Sequence, residues 1–103
     1  MRRLTITDLP EEPLEASRVF HSEWIGKAQT LLTGDDLLIA LPFADHTHEE
    51  WRCAAAAMLA RAGVPKRAFV VAGEGNVLDE AQKFLAQAAG ITGQYLELAR
   101  FNA

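Results

Sequence analysis

Two stretches of the chain are apolar at every position: Leu37-Leu38-Ile39-Ala40-Leu41 and Ala68-Phe69-Val70-Val71-Ala72. Short continuous runs of this kind, closed here by Pro42 and Gly73, mark strands covered on both faces, as in a parallel sheet. Two other stretches alternate. Leu4-Thr5-Ile6-Thr7 predicts a strand over Arg3–Asp8 with one buried face, and Gln94-Tyr95-Leu96-Glu97-Leu98 predicts a strand at a sheet edge. Between the strands the period becomes helical. Ala16, Phe20, Trp24, Ala28 and Leu31, with Val19, Ile25 and Leu32 beside them, predict a helix from Leu14 that ends near Gly34. A second helix runs from Thr47 to Ala62 and stops at Gly63. A third carries Val77, Leu78, Ala81, Phe84, Leu85 and Ala88 on one side and is capped by Gly90. The resulting order, β-α-β-α-β-α-β, predicts an α/β domain of about four mostly parallel strands. The fully apolar strands are expected at the centre and the alternating ones at the periphery. Residues 1–103 are expected to form one domain, with no linker, repeat or low-complexity segment.

Composition narrows the function classes. A net charge of −4 with scattered Lys and Arg gives no basic stripe for tracking phosphates, so no nucleic-acid partner is expected. Cys53 is the only cysteine, which excludes an intramolecular disulfide. Arg2 and Arg3 precede no apolar stretch of signal-peptide length, and no run approaches a membrane span. A cytoplasmic protein with no membrane contact is expected.

Several segments of the second half form a recognisable set. Thr47-His48-Glu49-Glu50-Trp51 follows a hydrophobic strand, Pro65-Lys66-Arg67-Ala68-Phe69-Val70-Val71-Ala72 forms the next central strand, and Ala81-Gln82-Lys83-Phe84-Leu85 leads to Gly90-Ile91-Thr92-Gly93-Gln94-Tyr95-Leu96-Glu97-Leu98. These resemble the T-x-E-E-W helix start, a central strand, and the closing helix with its I-T-G-Q strand of the short-chain dehydrogenase/reductase family. The resemblance covers roughly residues 36–98 and implies a small Rossmann-like three-layer sandwich. The same resemblance exposes departures. Where the family carries T-G-x-x-x-G-x-G, a loop that admits a pyrophosphate to a helix N-terminus, this chain has Leu9-Pro10-Glu11-Glu12-Pro13. The N-N-A-G turn corresponds to Leu41-Pro42-Phe43-Ala44, the catalytic serine position to Gly73-Glu74-Gly75, and the Y-x-x-x-K pair has no counterpart, since Tyr95 is followed four residues on by Ala99. No NAD, NADP or other cofactor is therefore expected, and no catalytic residue.

Four features carry candidate chemistry. Asp45-His46-Thr47-His48-Glu49-Glu50 is the densest polar cluster, at the carboxyl end of a central strand. Asp45, His46 and His48 offer metal-ligating groups, but Thr47 with Glu50 reads first as a capping box. Gly73-Glu74-Gly75-Asn76 reads as a tight strand-to-helix turn rather than an anion site, because Glu74 discourages phosphate and position 78 is Leu78. His21 and Cys53 read as a structural histidine and an inert packing thiol. The second helix is apolar nearly all round. Trp51, Ala54, Ala55, Met58, Leu59 and Ala62 are expected to face the core, while Cys53, Ala56, Ala57 and Ala60 form a second small-residue face interrupted only by Arg52 and Arg61. A helix apolar on both sides is usually covered on both, so that second face is expected to be a homodimer interface. The leading expectation is a non-catalytic structural or interaction domain whose partner is a second copy of itself. A small-ligand or metal-binding module using the loops after the two central strands stands as the alternative, and an accessory subunit of a larger enzyme as a third.

Overall fold

The two fully apolar runs become the centre of one four-stranded sheet. In the computed structural model, which describes residues 1–98, β1 (Arg2–Thr5), β2 (Leu37–Leu41), β3 (Ala68–Ala72) and β4 (Gln94–Glu97) lie in the order β1-β2-β3-β4. All three pairings are parallel, with Leu4 beside Ile39, Ile39 beside Val70, and Val70 beside Tyr95. Every residue of β2 and β3 is buried, whereas β1 and β4 are not. Both alternating strands are thus edges. β1 is shorter than the expected Arg3–Asp8, but pairing continues through the Ile6 N–H to the Ala40 carbonyl, and Ile6 is fully buried. β4 ends at Glu97, and the Leu98 N–H still reaches the Ala72 carbonyl.

Helices cover both faces and make three layers. On one face Ile6, Leu37, Ile39, Leu41, Ala68 and Val70 pack against Phe20, Ala28, Leu32, Ala55, Ala56 and Leu59. On the other, Leu38, Ala40, Phe69 and Val71 pack against Leu78 and Leu85. The first helical segment is α1 (Pro13–Val19), a π-helical turn (Phe20–Trp24) and α2 (Ile25–Leu32) in direct succession. The π turn explains how its apolar spacing works. Ala16, Phe20, Ala28 and Leu32 are all buried although they lie four or eight residues apart. Each step of four overshoots a full α-helical turn by about 40°. The wider turn, closed by the Ile25 N–H on the Phe20 carbonyl, takes up that drift and holds one face to the core.

α3 (Glu49–Ala62) is where the pattern misleads. Its buried residues are Arg52, Ala55, Ala56, Leu59 and Ala60, and Met58 is 60% exposed. Ala54 and Ala62 are exposed as well. The core stripe is therefore rotated from the expected Trp51-Ala54-Ala55-Met58-Leu59-Ala62 face. Alanine has no directional preference strong enough to set a helix's rotation, so Trp51 and Met58 dominate the pattern. Packing follows size instead. A Cβ at Gly93, where the chain enters β4, would stand 3.3 Å from the Ala60 Cβ, and only small residues permit that approach. α4 (Gly75–Gln87) buries Leu78 and Leu85 as expected but leaves Phe84 66% exposed. Among the described residues no helix is long and apolar enough to cross a membrane.

Candidate functional site

In an open parallel sheet the carboxyl ends of the strands form the crevice where ligands bind. Here the exits of β1 and β2 enclose a cavity of about 360 Å³ lined by Leu9, Pro10, Pro42, Phe43, His48 and Arg52, among others. Three local arrangements build it.

The first is the start of α1. The Glu12 carboxylate accepts from the N–H of Leu14 at 3.1 Å and of Glu15 at 2.9 Å. Pro13 occupies the first helical position, where an N–H would have no intrahelical partner. The helix N-terminus that follows β1 is thus satisfied by the protein's own negative charge. A dinucleotide pyrophosphate would need those same amides and would meet a carboxylate already on them. The residues present do not fit that group.

The second is the turn into α3. Asp45 is its cap: its carboxylate accepts from the Thr47 N–H at 2.9 Å and from the Thr47 hydroxyl, ahead of a 3₁₀ turn at His46–His48. The expected Thr47–Glu50 capping box does not form. Thr47 is a donor to Asp45, and the α-helical stretch begins without a side-chain cap at His48. The Thr47 hydroxyl, then the Thr47 N–H, hold the Asp45 carboxyl below its ordinary range. His48 is buried, and both ring nitrogens are engaged. Trp51 Nε1 donates to His48 Nδ1 at 3.1 Å, so the proton sits on Nε2, which donates to the Glu11 carbonyl at 2.8 Å. His46 is exposed. Asp45, His46 and His48 are not brought together as a ligand set, and among the described residues no group of three His, Cys, Asp or Glu side chains is placed to hold a metal.

The third is Arg52, 1% exposed on the inward side of α3. Its Nη1 donates to the Pro42 carbonyl at 2.8 Å and to the Tyr95 hydroxyl at 3.3 Å. The guanidinium lies 5.5 Å from the Trp51 ring and 5.9 Å from the Tyr95 ring. Its Nε, shielded from solvent, has no hydrogen-bond partner. Sequence reasoning treated Arg52 as an interruption of an apolar face. The signal that could have found it is its position one residue after Trp51, in a helix otherwise almost free of charge past its first turn.

The remaining candidates stand apart from the cavity. Gly73-Glu74-Gly75-Asn76 is the turn from β3 into α4. Gly75 has φ of 65°, which favours glycine, and a Cβ at Gly73 would sit 2.6 Å from the Leu98 side chain, which would have to shift. His21 is exposed and bonds back to the Ser17 carbonyl at 2.8 Å. Partial desolvation, then the Glu49 charge, push the Cys53 thiol above its ordinary value, which keeps it protonated and a poor nucleophile. Of the four expected interface residues, Ala56 and Ala60 turn inward to the sheet and only Cys53 and Ala57 are exposed.

A parallel sheet with helices on both faces and a crevice at its carboxyl edge defines a Rossmann-like domain. The chain matches the family described as SDR-like, short chain dehydrogenase-like protein, over residues 4–98, and it belongs to that family. The match takes in β1 and the first helical segment, which the resemblance over residues 36–98 had left out. No curated protein matches the chain, and no solved structure does.

Proposed function

We propose that this chain is a non-catalytic Rossmann-like interaction domain that has exchanged dinucleotide binding for self-association as a homodimer. The observation that carries the reading is the Glu12 carboxylate seated on the Leu14 and Glu15 amides. It places a fixed negative charge where a pyrophosphate would bind. The outward face of α3 supports the second half of the reading. Cys53, Ala54, Ala57 and Met58 are exposed together there, beside Leu14, which is 78% exposed. Of the four residues expected on such a face, Cys53 and Ala57 lie on it and Ala56 and Ala60 do not; Ala54 and Met58, expected in the core, complete it.

Two measurements test the proposal. Titration with NAD and with NADP should give no saturable heat. A dissociation constant below about 100 μM, or about −5.5 kcal/mol, for either one overturns the loss of cofactor binding. Sedimentation at micromolar concentration should show a dimer that Ala57→Glu converts to a folded monomer, because a charge buried in a small-residue contact is strongly unfavourable. A monomeric wild type, or a dimeric variant, removes the homodimer.

A further inference from the structure

We propose that the crevice at the carboxyl ends of β1 and β2 binds a small organic monocarboxylate on the unpaired edge of the Arg52 guanidinium. The inference does not depend on self-association.

A guanidinium offers its N–H groups in a fixed fork, and the edge formed by Nε and Nη2 matches a carboxylate in two parallel hydrogen bonds. In Arg52 the other nitrogen, Nη1, is occupied by Pro42 and Tyr95. Nε is unpartnered, no hydrogen bond engages Nη2, and no ion pair reaches the side chain among the described residues. A side chain 1% exposed therefore carries its positive charge without an ion pair among the described residues, and its two hydrogen-bond partners are neutral oxygens. A buried cation left in this state is costly, and aromatic faces offset only part of that cost. Arg52 lines the 360 Å³ cavity, so an anion held there would supply the missing charge.

The cavity's other walls set the ligand's class. Leu9, Pro10, Pro42 and Phe43 are apolar and suit a hydrocarbon or aromatic body. The volume lies at the small end of ligand sites. Arg52 is the single Lys or Arg of the lining, which also includes two exposed acids, Glu11 and Asp45, the latter held ionised by Thr47. A dianion would leave one charge unmatched and facing a carboxylate. A monoanion with an apolar body is the species that satisfies both walls. Because Nε is shielded from water in the free protein, the groups that cover it must yield for the fork to close.

The Arg52 Nε–H resonance in a proton–nitrogen correlation spectrum reads this edge directly in the wild-type protein. Benzoate, added at constant ionic strength and neutral pH, should move it saturably, together with the Phe43 and Ala44 amides. Benzamide, equal in shape but neutral, should bind at least tenfold more weakly, and so should inorganic phosphate. Arg52→Lys keeps the charge and loses the fork, and should weaken benzoate at least tenfold as read by the Phe43 and Ala44 amides. If that variant does not fold, the wild-type comparison alone decides. No saturable shift with benzoate, an equal response to benzamide, phosphate binding as tight as benzoate, or a lysine variant that binds like wild type each overturns the proposal. NAD binding in the same protein would overturn the proposed loss of the cofactor and leave this comparison intact.

Discussion

Two arginines stand at opposite ends of the sheet, and their surroundings differ in kind. Arg67 lies at the amino end, immediately before β3. Its backbone N–H and Nε both bond Asp36, at 2.7 and 3.0 Å, and its Nη2 completes the ion pair at 2.8 Å. The same guanidinium caps the end of α4, donating to the carbonyls of Leu85, Ala86 and Ala88 at 2.8–3.0 Å. The Leu85 and Ala88 carbonyls each also accept one backbone N–H, from Ala88 and Ile91, and a cation suits the negative end of the helix dipole. Arg52 lies at the carboxyl end, more deeply buried, with one nitrogen bonded and no ion pair among the described residues. A residue that holds a fold together has its valences met from within the fold. A buried charge whose valences are unmet marks the end of the molecule that addresses something else.

The largest effect should come from breaking the satisfied end. Arg67→Ala removes the partner of a carboxylate that is only 23% exposed and uncaps α4 in one step. It should cost about 2–3 kcal/mol, below the range for a fully buried pair broken on one side because Asp36 is partly exposed and keeps the residue 67 N–H, read as a fall in the urea midpoint. The pH dependence follows from Asp36. Burial opposes its ionisation, but the Arg67 N–H, the Arg67 guanidinium hydrogen bond and its charge together outweigh burial and hold the carboxyl below its ordinary value of 3.8. A carboxyl depressed in the folded state stabilises above its unfolded pKa, and that stabilisation disappears as the pH falls through the lower folded value. Wild type should therefore lose stability on acidification, and Arg67→Ala should show a shallower acid limb. The residue 67 N–H stays on Asp36 in the variant, so an acid limb of unchanged slope would mean that the backbone N–H, and not the guanidinium, holds Asp36.

Much of the satisfied region was legible in the sequence, and the addressed region was not. Leu37–Leu41 and Ala68–Ala72 declared two buried parallel strands because burial on both faces leaves no polar position. Gly63 and Gly34 marked helix ends although neither takes the left-handed conformation; at Gly63 it is space that matters, since a Cβ there would stand 3.1 Å from the Leu59 carbonyl oxygen. The cavity depends on contacts that local patterns do not encode. The rotation of α3 hangs on the distance between Ala60 and Gly93, residues 33 apart whose approach belongs to the tertiary packing. Arg52 becomes a buried cation only through that rotation, and Tyr95 meets it from a different element. Glu12 is an uncommon cap, and its role depends on Pro13 fixing the first turn behind it. At the start of α3, Thr47 outranked Asp45 because the spacing to Glu50 fitted a familiar box. The chain uses the shorter reach from Asp45 instead.

That correction gives the next test. If Asp45 is the cap, Asp45→Ala should lower the melting temperature by about 4–8 °C, the usual effect of losing one cap in a chain of this size. Thr47→Ala, which removes a hydroxyl donor but leaves the backbone N–H on Asp45, should do less. The reverse order would restore Thr47 as the cap and weaken the argument that Asp45 is fixed in charge at the cavity.

The smallest effect should come from the arginine that looks most buried. Arg52→Met keeps the length and apolar stem of the side chain while removing the uncompensated charge. Replacing a buried ionic group by an apolar one of similar shape is often neutral or stabilising when the charge was poorly paired. The acceptors left behind are the Pro42 carbonyl and the Tyr95 hydroxyl, both on residues that retain partial exposure. The variant should stay within about 1 kcal/mol of wild type, in contrast to Arg67→Ala, while abolishing the benzoate response of the Phe43 and Ala44 amides. A loss as large as that of Arg67→Ala would show that the two arginines do the same work. The orphaned Nε would then be a packing defect that the fold tolerates, with no ligand to complete it. A stable variant that no longer binds separates the two ends of the sheet, because it loses recognition without losing the fold.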